Sequence, residues 1–306
     1  MDGRLSCETD VWSNWLRNHR YGGDADYERN VRSRVAVYVR RVLDGAKLWP
    51  GMTLLDIGAG EGAVGLAAIE RLGARLKVLF MDISPSLLRH AEALALCAGV
   101  VSQCRFLNAS AERMDPVADA SVDVVTSRAV LAYVPDKLAA LRQCYRVLKP
   151  GGRISIGEPV FRDEALAACA LGQTLAARPA DHPDRLMRLV QRWRAAQFPD
   201  TLEAIAKNPM TNYSERDLVR FMQNAGFCHI HLEFHVDAGD AAPMPWEVFI
   251  NTSPHPLAPT LADIMQTQFD ADERLIFELG LRPSIESGDR VCTDRMAYLT
   301  AVKPYL

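Results

Sequence analysis

The residues best placed to do chemistry come first in Leu54-Leu55-Asp56-Ile57-Gly58-Ala59-Gly60-Glu61-Gly62, an apolar run ending in a glycine-rich turn. A strand that turns on glycine into a helix lets backbone approach a ligand closely and aims helix N–H groups at it. Gly58-x-Gly60-x-x-Ala63 also satisfies the dinucleotide fingerprint, in which the glycines accommodate a pyrophosphate. Asp56 weighs the other way, since an ionised carboxylate beside the turn opposes a pyrophosphate and suits a cation such as a sulfonium carrying an ammonium group. Asp82, in Phe80-Met81-Asp82-Ile83, ends the next apolar run, where a carboxylate accepts two ribose hydroxyls in either ligand class. The pattern points to a nucleoside and leaves the cofactor class open.

Three other clusters carry reactive groups. His19-Arg20-Tyr21-Gly22-Gly23-Asp24 joins a cation, a phenol and a glycine pair. In Cys228 to Val236 strict alternation places His229, His231, Glu233 and His235 on one face of a strand. Imidazole and carboxylate suit zinc or iron, but the row spans about 20 Å and cannot converge on one ion, so no metal is expected. The seven cysteines, Cys7, Cys97, Cys104, Cys144, Cys169, Cys228 and Cys292, are odd in number, scattered and without a C-x-x-C pair. That argues against a disulfide framework, a zinc knuckle and a thiolate site for a metalloid, and for a reducing cytoplasm.

Composition narrows the function class. Of 306 residues 49% are apolar and 24% charged, as in folded proteins, and the net charge of −3 lacks the basic excess of a dedicated nucleic-acid binder. The first residues show no basic segment followed by an apolar stretch, and no apolar run approaches the roughly 18 residues of a membrane span. Neither export by that route nor a membrane location is expected.

The elements that must position these groups are legible from periodicity. Val31, Val35, Tyr38, Val39 and Val42 recur at helical spacing, predicting an amphipathic helix over 26–43 that stops at Asp44-Gly45. Beyond it, strands at 53–57, 77–83, 104–108, 122–127 and 153–157 alternate with helices near 62–73, 85–98 and 136–148. The chain is therefore read as α/β, a doubly wound, mostly parallel sheet with helical cap insertions. Residues 163–207 read as two helices around the Arg178-Pro179 to Pro183 break, Ser214 with Asp217 as a capping box, 228–236 as a strand, 260–280 as helical and 296–302 as a last strand. The expected organisation is an N-terminal helical segment (1–50) over the ligand site, a core (51–160), a cap (161–210) and a C-terminal part (211–306) with an insertion at 237–292.

Taken together the motifs resemble the class I S-adenosylmethionine-dependent methyltransferases, over roughly residues 50–160. Besides LLDIGAGEG and FMDIS, the resemblance rests on Asn108-Ala109-Ser110-Ala111-Glu112, on Ser121-Val122-Asp123-Val124-Val125-Thr126-Ser127-Arg128, and above all on Tyr145-Arg146-Val147-Leu148-Lys149-Pro150-Gly151-Gly152. It implies a Rossmann-like fold, S-adenosylmethionine as cofactor and methyl transfer. It places Asp56, Gly58, Ala59, Gly60 and Gly62 around the methionine part, Asp82 on the ribose, Ile83 against the adenine, Ala111 and Glu112 at its border and Ser127 beneath the sulfonium. Ser110 stands where many relatives carry aspartate, so a hydroxyl or backbone contact to the adenine is expected. Arg20 or Tyr21 would bind the cofactor carboxylate or gate its entry, because the segment before the first strand often covers the cofactor in such proteins.

Methyl transfer from a sulfonium is an in-line displacement for which alignment and exclusion of water do much of the work, and a general base is optional. Candidates for substrate contact are Glu158, at the carboxyl end of the fifth strand, then Tyr133 and Arg128 after the fourth, and Tyr213 before the capped helix. The two insertions enclose a pocket, either their own or a partner's across a homodimer, which favours a small-molecule metabolite over nucleic acid. Two other readings remain open at this point, a nicotinamide-dependent oxidoreductase and a cofactor-binding protein without catalysis.

Overall fold

The computed structural model describes residues 10–179 and 184–305; Cys7 and Pro183, named above, lie outside the described residues. Its strands are β1 (Thr53–Ile57), β2 (Lys77–Asp82), β3 (Cys104–Asn108), β4 (Val122–Arg128), β5 (Leu148–Pro159), β6 (Cys228–Asp240) and β7 (Val291–Val302). They form one sheet in the order β3-β2-β1-β4-β5-β7-β6. The first five run parallel, while β7 is antiparallel to both β5 and β6. The order reverses between β1 and β4, and at such a switch point the connections leave to opposite faces and open a crevice at the carboxyl ends of the strands.

Consecutive residues of the inner strands are buried because both faces are covered, which is why these strands read as unbroken apolar runs. Leu55, Ile57, Met81, Val125, Ile154 and Leu299 pack on one face with α5 (Lys137–Val147) and α9 (Glu215–Asn224) through Leu141, Leu218 and Met222. Leu54, Val78, Phe80, Val124 and Tyr298 pack on the other with α2 (Ala25–Ala46) and α3 (Ala63–Leu72) through Val39, Val42, Leu43, Val64 and Ala68. Remaining elements are α1 (Val11–Asn14), a π-helical turn (Trp15–His19), α4 (Pro85–Cys97), α6 (Arg162–Ala176), α7 (Arg185–Gln197), α8 (Leu202–Lys207), α10 (Trp246–Ile250), α11 (Leu261–Gln268) and α12 (Ala271–Ser287). Leu189 of α7 joins Trp246, Leu261, Ile264 and Phe277 in a third apolar cluster, so parts of the two insertions share a core.

Five expectations are corrected. The helix expected to stop at Asp44-Gly45 continues to Ala46 and ends on Lys47 at φ +50. Gly45 is there for closeness instead, since a Cβ would stand 2.6 Å from Ser155 Oγ and 2.7 Å from Thr300 Cγ2. Segment 163–207 holds three helices rather than two, and 260–280 two rather than one. The insertion expected at 237–292 is shorter at both ends, because β6 and β7 remain paired out to Asp240 and Val291. Alternation along β6 is not strict either: His229 lies at φ +49 and the register slips between Cys228 and His231. Of that row, Glu233 accepts from His235 at 3.1 Å and meets His231 at 3.4 Å, and among the described residues no three His, Cys, Asp or Glu side chains are grouped to hold a metal. The Ser214–Asp217 capping box is present, each residue bonding the other's backbone N–H. No described helix is long and apolar enough to cross a membrane.

Candidate functional site

A cavity of about 560 Å³ opens at the switch point. Its floor is the turn after β1. Gly58 and Gly60 adopt φ +60 and +54, and a Cβ on Gly58 would stand 2.1 Å from Val130 Cγ2, so only glycine lets the turn pass under the loop after β4. Gly60 N–H donates to Asp82 Oδ2 at 2.8 Å and Ser84 N–H to Oδ1 at 2.8 Å. Those bonds hold the carboxylate at the wall with lone pairs left for two hydroxyls. Burial pushes Asp82 above its ordinary value despite both donors.

The roof comes from the N-terminal segment. Asp10 Oδ1 caps α1 by accepting from Trp12 N and Ser13 N, and its Oδ2 accepts from Ser84 Oγ at 2.6 Å, tying the segment to the end of β2. Trp12 meets Tyr133 edge-on at 5.1 Å. Trp15 Nε1 donates to Ser253 O at 3.0 Å and Ser253 N to His19 O at 2.9 Å, so the roof also hangs from the second insertion. Gly22 sits at φ +58 packed against Val248, whereas Gly23, at φ +76, faces open space.

Of the residues singled out from sequence, Arg20, Tyr21, Gly58, Ala59, Gly60, Asp82, Ile83, Ser110, Ala111, Glu112, Arg128 and Tyr133 line this cavity. Ser110 Oγ accepts from Glu112 N at 3.2 Å, and Glu112 Oε1 accepts from Asp136 N at 2.8 Å, bracing the adenine end that the resemblance implies. Ile83 is half exposed on the wall. Gly62, Asp56, Ser127, Tyr213 and Glu158 are not in the wall. Gly62, at φ +84, precedes α3 behind the turn.

Asp56 and Glu158 therefore need correction. Asp56, 1% exposed, accepts from Gly65 N at 3.0 Å and Thr126 Oγ at 3.0 Å, and burial pushes it up to about 7. It fixes the start of α3 from behind the cavity wall, so the expectation that it stands beside the ligand and chooses between sulfonium and pyrophosphate is not supported by its placement. Glu158, 0% exposed, accepts from Val130 N at 3.0 Å and Ala132 N at 3.3 Å. Burial raises it to about 7, and it anchors the loop after β4 from outside the cavity wall, where the expected substrate contact has no path. Ser127 Oγ is buried with no hydrogen-bond partner, and Tyr213 Oη donates to Pro159 O at 2.7 Å.

Sequence reading missed Trp12, Trp15, Leu16, Val130 and Pro256 in the wall, and also a branch of the cavity between α2 and α3 past Val35, Val39, Ala63 and Ala67. The spacing of Trp12 and Trp15 on one helical side was the available signal. The fit to the nucleoside cofactor is good: a turn with no room for a Cβ, a hydrogen-bonded carboxylate one strand away and a half-exposed isoleucine next to it sit around one cavity.

Comparison with known proteins agrees. A methyltransferase domain family model matches residues 48–226. A ubiquinone/menaquinone biosynthesis C-methyltransferase of Klebsiella pneumoniae subsp. pneumoniae is 34% identical over 209 residues, 67% of this chain and 78% of the relative. Matches to enzymes of the same name are shorter in Brucella anthropi (38% identical, 34% of this chain, 39% of the relative) and Idiomarina loihiensis (35%, 40% of this chain, 48% of the relative). The chain thus spans less than half the length of those two. A Bacillus halodurans structure assigned to the methyltransferases superposes with TM-score 0.52 at 17% identity, covering 87% of this chain and 98% of that one, which shows the shared fold. The chain belongs to the class I S-adenosylmethionine-dependent methyltransferases.

Proposed function

We propose that this chain methylates oxygen, nitrogen or carbon of a small-molecule metabolite in a biosynthetic pathway. The observation that carries the reading is the cavity of about 560 Å³ at the switch point, where the Gly58–Gly60 turn, Asp82 and the roof of Trp12 and Trp15 meet. When bound, S-adenosylmethionine supplies an activated methyl group. In this reading Asp82 holds its ribose, Ile83, Ser110, Ala111 and Glu112 surround its adenine, and the backbone of Gly58, Ala59 and Gly60 lies along its methionine part. Arg128 and Tyr133 border the acceptor, and Trp12 excludes water above it. Carbon is favoured among the three acceptors because the curated relatives carry C-methyltransferase names.

The volume of the cavity, its roof and the net charge of −3 support a small molecule over nucleic acid. Pro256, from the second insertion, lines its own chain's cavity, which supports insertions that cover their own site; light scattering tests for a homodimer. Cys97, Cys104, Cys144, Cys169, Cys228 and Cys292 are free thiols, which supports the cytoplasm as its place.

Calorimetric titration with S-adenosylmethionine and, separately, with nicotinamide dinucleotides tests the reading. Binding of the sulfonium alone is expected, and binding of the dinucleotide alone overturns it. Persistent sulfonium binding with no methylated product from broad metabolite pools favours a non-catalytic role.

A further inference from the structure

Arg128, the last residue of β4, carries a positive charge for which the described residues supply no counterion contact. It lines the cavity, its Nε is buried without a hydrogen-bond partner, and it forms no salt bridge among the described residues. The two carboxylates whose fields reach it, Asp56 and Glu158, are turned away onto Gly65 N and Thr126 Oγ, and onto Val130 N and Ala132 N. A second guanidinium, Arg20, lines the same cavity, stacked over Trp15 at 5.1 Å and Tyr21 at 5.6 Å. Burial and the charge of Arg20 push Arg128 down to about 10, which still leaves Arg128 a cation at neutral pH.

The acids of the wall nearest the cofactor end are committed elsewhere. Asp82 holds Gly60 N and Ser84 N, Glu112 holds Asp136 N, and Glu61 stands 3.5 Å from Arg32. The described wall includes no histidine and no cysteine, and burial together with Glu158 pushes the Tyr133 phenol upward. The wall thus holds two guanidiniums, while its remaining acid, Glu70, lies in the branch between α2 and α3. S-adenosylmethionine itself carries a net charge of about +1, from a sulfonium, an ammonium and a carboxylate. Its binding alone leaves the enclosed charge uncompensated, and buried charge without a partner is costly.

We propose that Arg128 and Arg20 form an anion subsite for the acceptor, which enters as the conjugate base of a small organic acid, a carboxylate or a phenolate. This rests on the methyltransferase reading and narrows its substrate class. Register gives the position: Ile57 of β1 pairs with Ser127 of β4 and with Met81 of β2, so Arg128 stands level with Gly58, beside the turn and across β1 from the ribose end marked by Asp82. An acceptor that is already an anion needs no side chain to deprotonate it, in keeping with the absence of histidine and cysteine from the described wall.

The test uses benzoate and its neutral isostere benzamide as probes at pH 7.5, by calorimetry on the full chain saturated with S-adenosylhomocysteine. Benzoate is expected to bind the complex at least about tenfold more tightly than benzamide. R128M is expected to abolish benzoate binding and to change S-adenosylhomocysteine affinity less than about threefold, with R20M weakening benzoate in part. Equal binding of the two probes, or none of benzoate, overturns the subsite. Competition between benzoate and S-adenosylhomocysteine, or a loss of about tenfold or more in its affinity in R128M, assigns the guanidinium pair to the cofactor carboxylate and also overturns it. Failure of wild-type protein to bind S-adenosylhomocysteine refutes the methyltransferase reading itself, a distinct result. Should R128M not fold, the benzoate–benzamide comparison on wild type decides.

Discussion

Replacing Glu158 with glutamine separates an anchor from a solvent-exposed acid, because the two respond differently to pH. The carboxylate is 0% exposed and accepts Val130 N at 3.1 and 3.0 Å through its two oxygens and Ala132 N at 3.3 Å through Oε2. Burial is the largest influence and raises it from 4.5 to about 7, the backbone donors and Lys137 opposing the rise. Between those two values the folded chain keeps a proton that the unfolded chain releases. Unfolding free energy therefore falls as pH rises through that window, fully present below 4.5 and lost on passing about 7. At about 1.4 kcal/mol for each tenfold step, the loss amounts to about 3 kcal/mol in all, of which about 2–3 kcal/mol falls between pH 5 and 8. Glu158→Gln is neutral throughout, and one amide oxygen can still accept both N–H groups. Asp56, raised to about 7 from 3.8, titrates in both proteins and cancels from their difference. Urea unfolding of the two proteins at pH 5, 6, 7 and 8 reads the effect. The stability of the variant relative to wild type is expected to improve by about 2–3 kcal/mol from pH 5 to 8. A difference constant within about 0.5 kcal/mol over that range refutes the burial reasoning and returns Glu158 to solvent contact.

Three further outcomes follow from the geometry. Gly58→Ala, which forces a Cβ to 2.1 Å from Val130 Cγ2 at φ +60, should displace the loop after β4 and cost about 1–2 kcal/mol in backbone strain alone. S-adenosylhomocysteine affinity falling with the melting temperature supports this, and an unaltered affinity refutes it. Asp82→Ala should weaken S-adenosylhomocysteine binding by about 1–3 kcal/mol in calorimetry, and no change removes Asp82 from the ribose. Asp10→Ala takes away the cap of α1 and its tie to Ser84, about 1 kcal/mol of local stability, so tryptic cleavage at Arg17 should accelerate and S-adenosylhomocysteine should slow it again. Unaltered cleavage would mean that the roof is held without Asp10.

The core of this protein was legible residue by residue, whereas the closure of its site was not. Strands at Thr53–Ile57 and Cys104–Asn108 appear with the bounds read from sequence, and Asp82 and the Gly58–Gly60 turn lie where the motifs put them. Such features rest on local causes: apolar runs buried on both faces, glycines at positive φ and proline or glycine stops. Burial of an ionisable group is a collective property and left no local mark. Asp56 and Glu158 looked like ligand-facing acids at strand ends, yet both turn inward onto N–H groups supplied by folding. Nor does a helical pattern tell how closely its helix approaches a sheet, which is why Gly45 looked like a stop. The roof depends on partners as distant as Trp15 and Ser253, 238 positions apart, and the unanswered charge of Arg128 emerges only once Asp56, Glu158 and Arg20 have taken their places. By itself the sequence determined the strands, the turn and the place of the Asp82 carboxylate beside it, because each depends on neighbours along the chain. Tertiary structure decided which acids face the cavity, what covers it and where positive charge is left over, because desolvation and ion pairing are set by atoms that meet only in the folded chain.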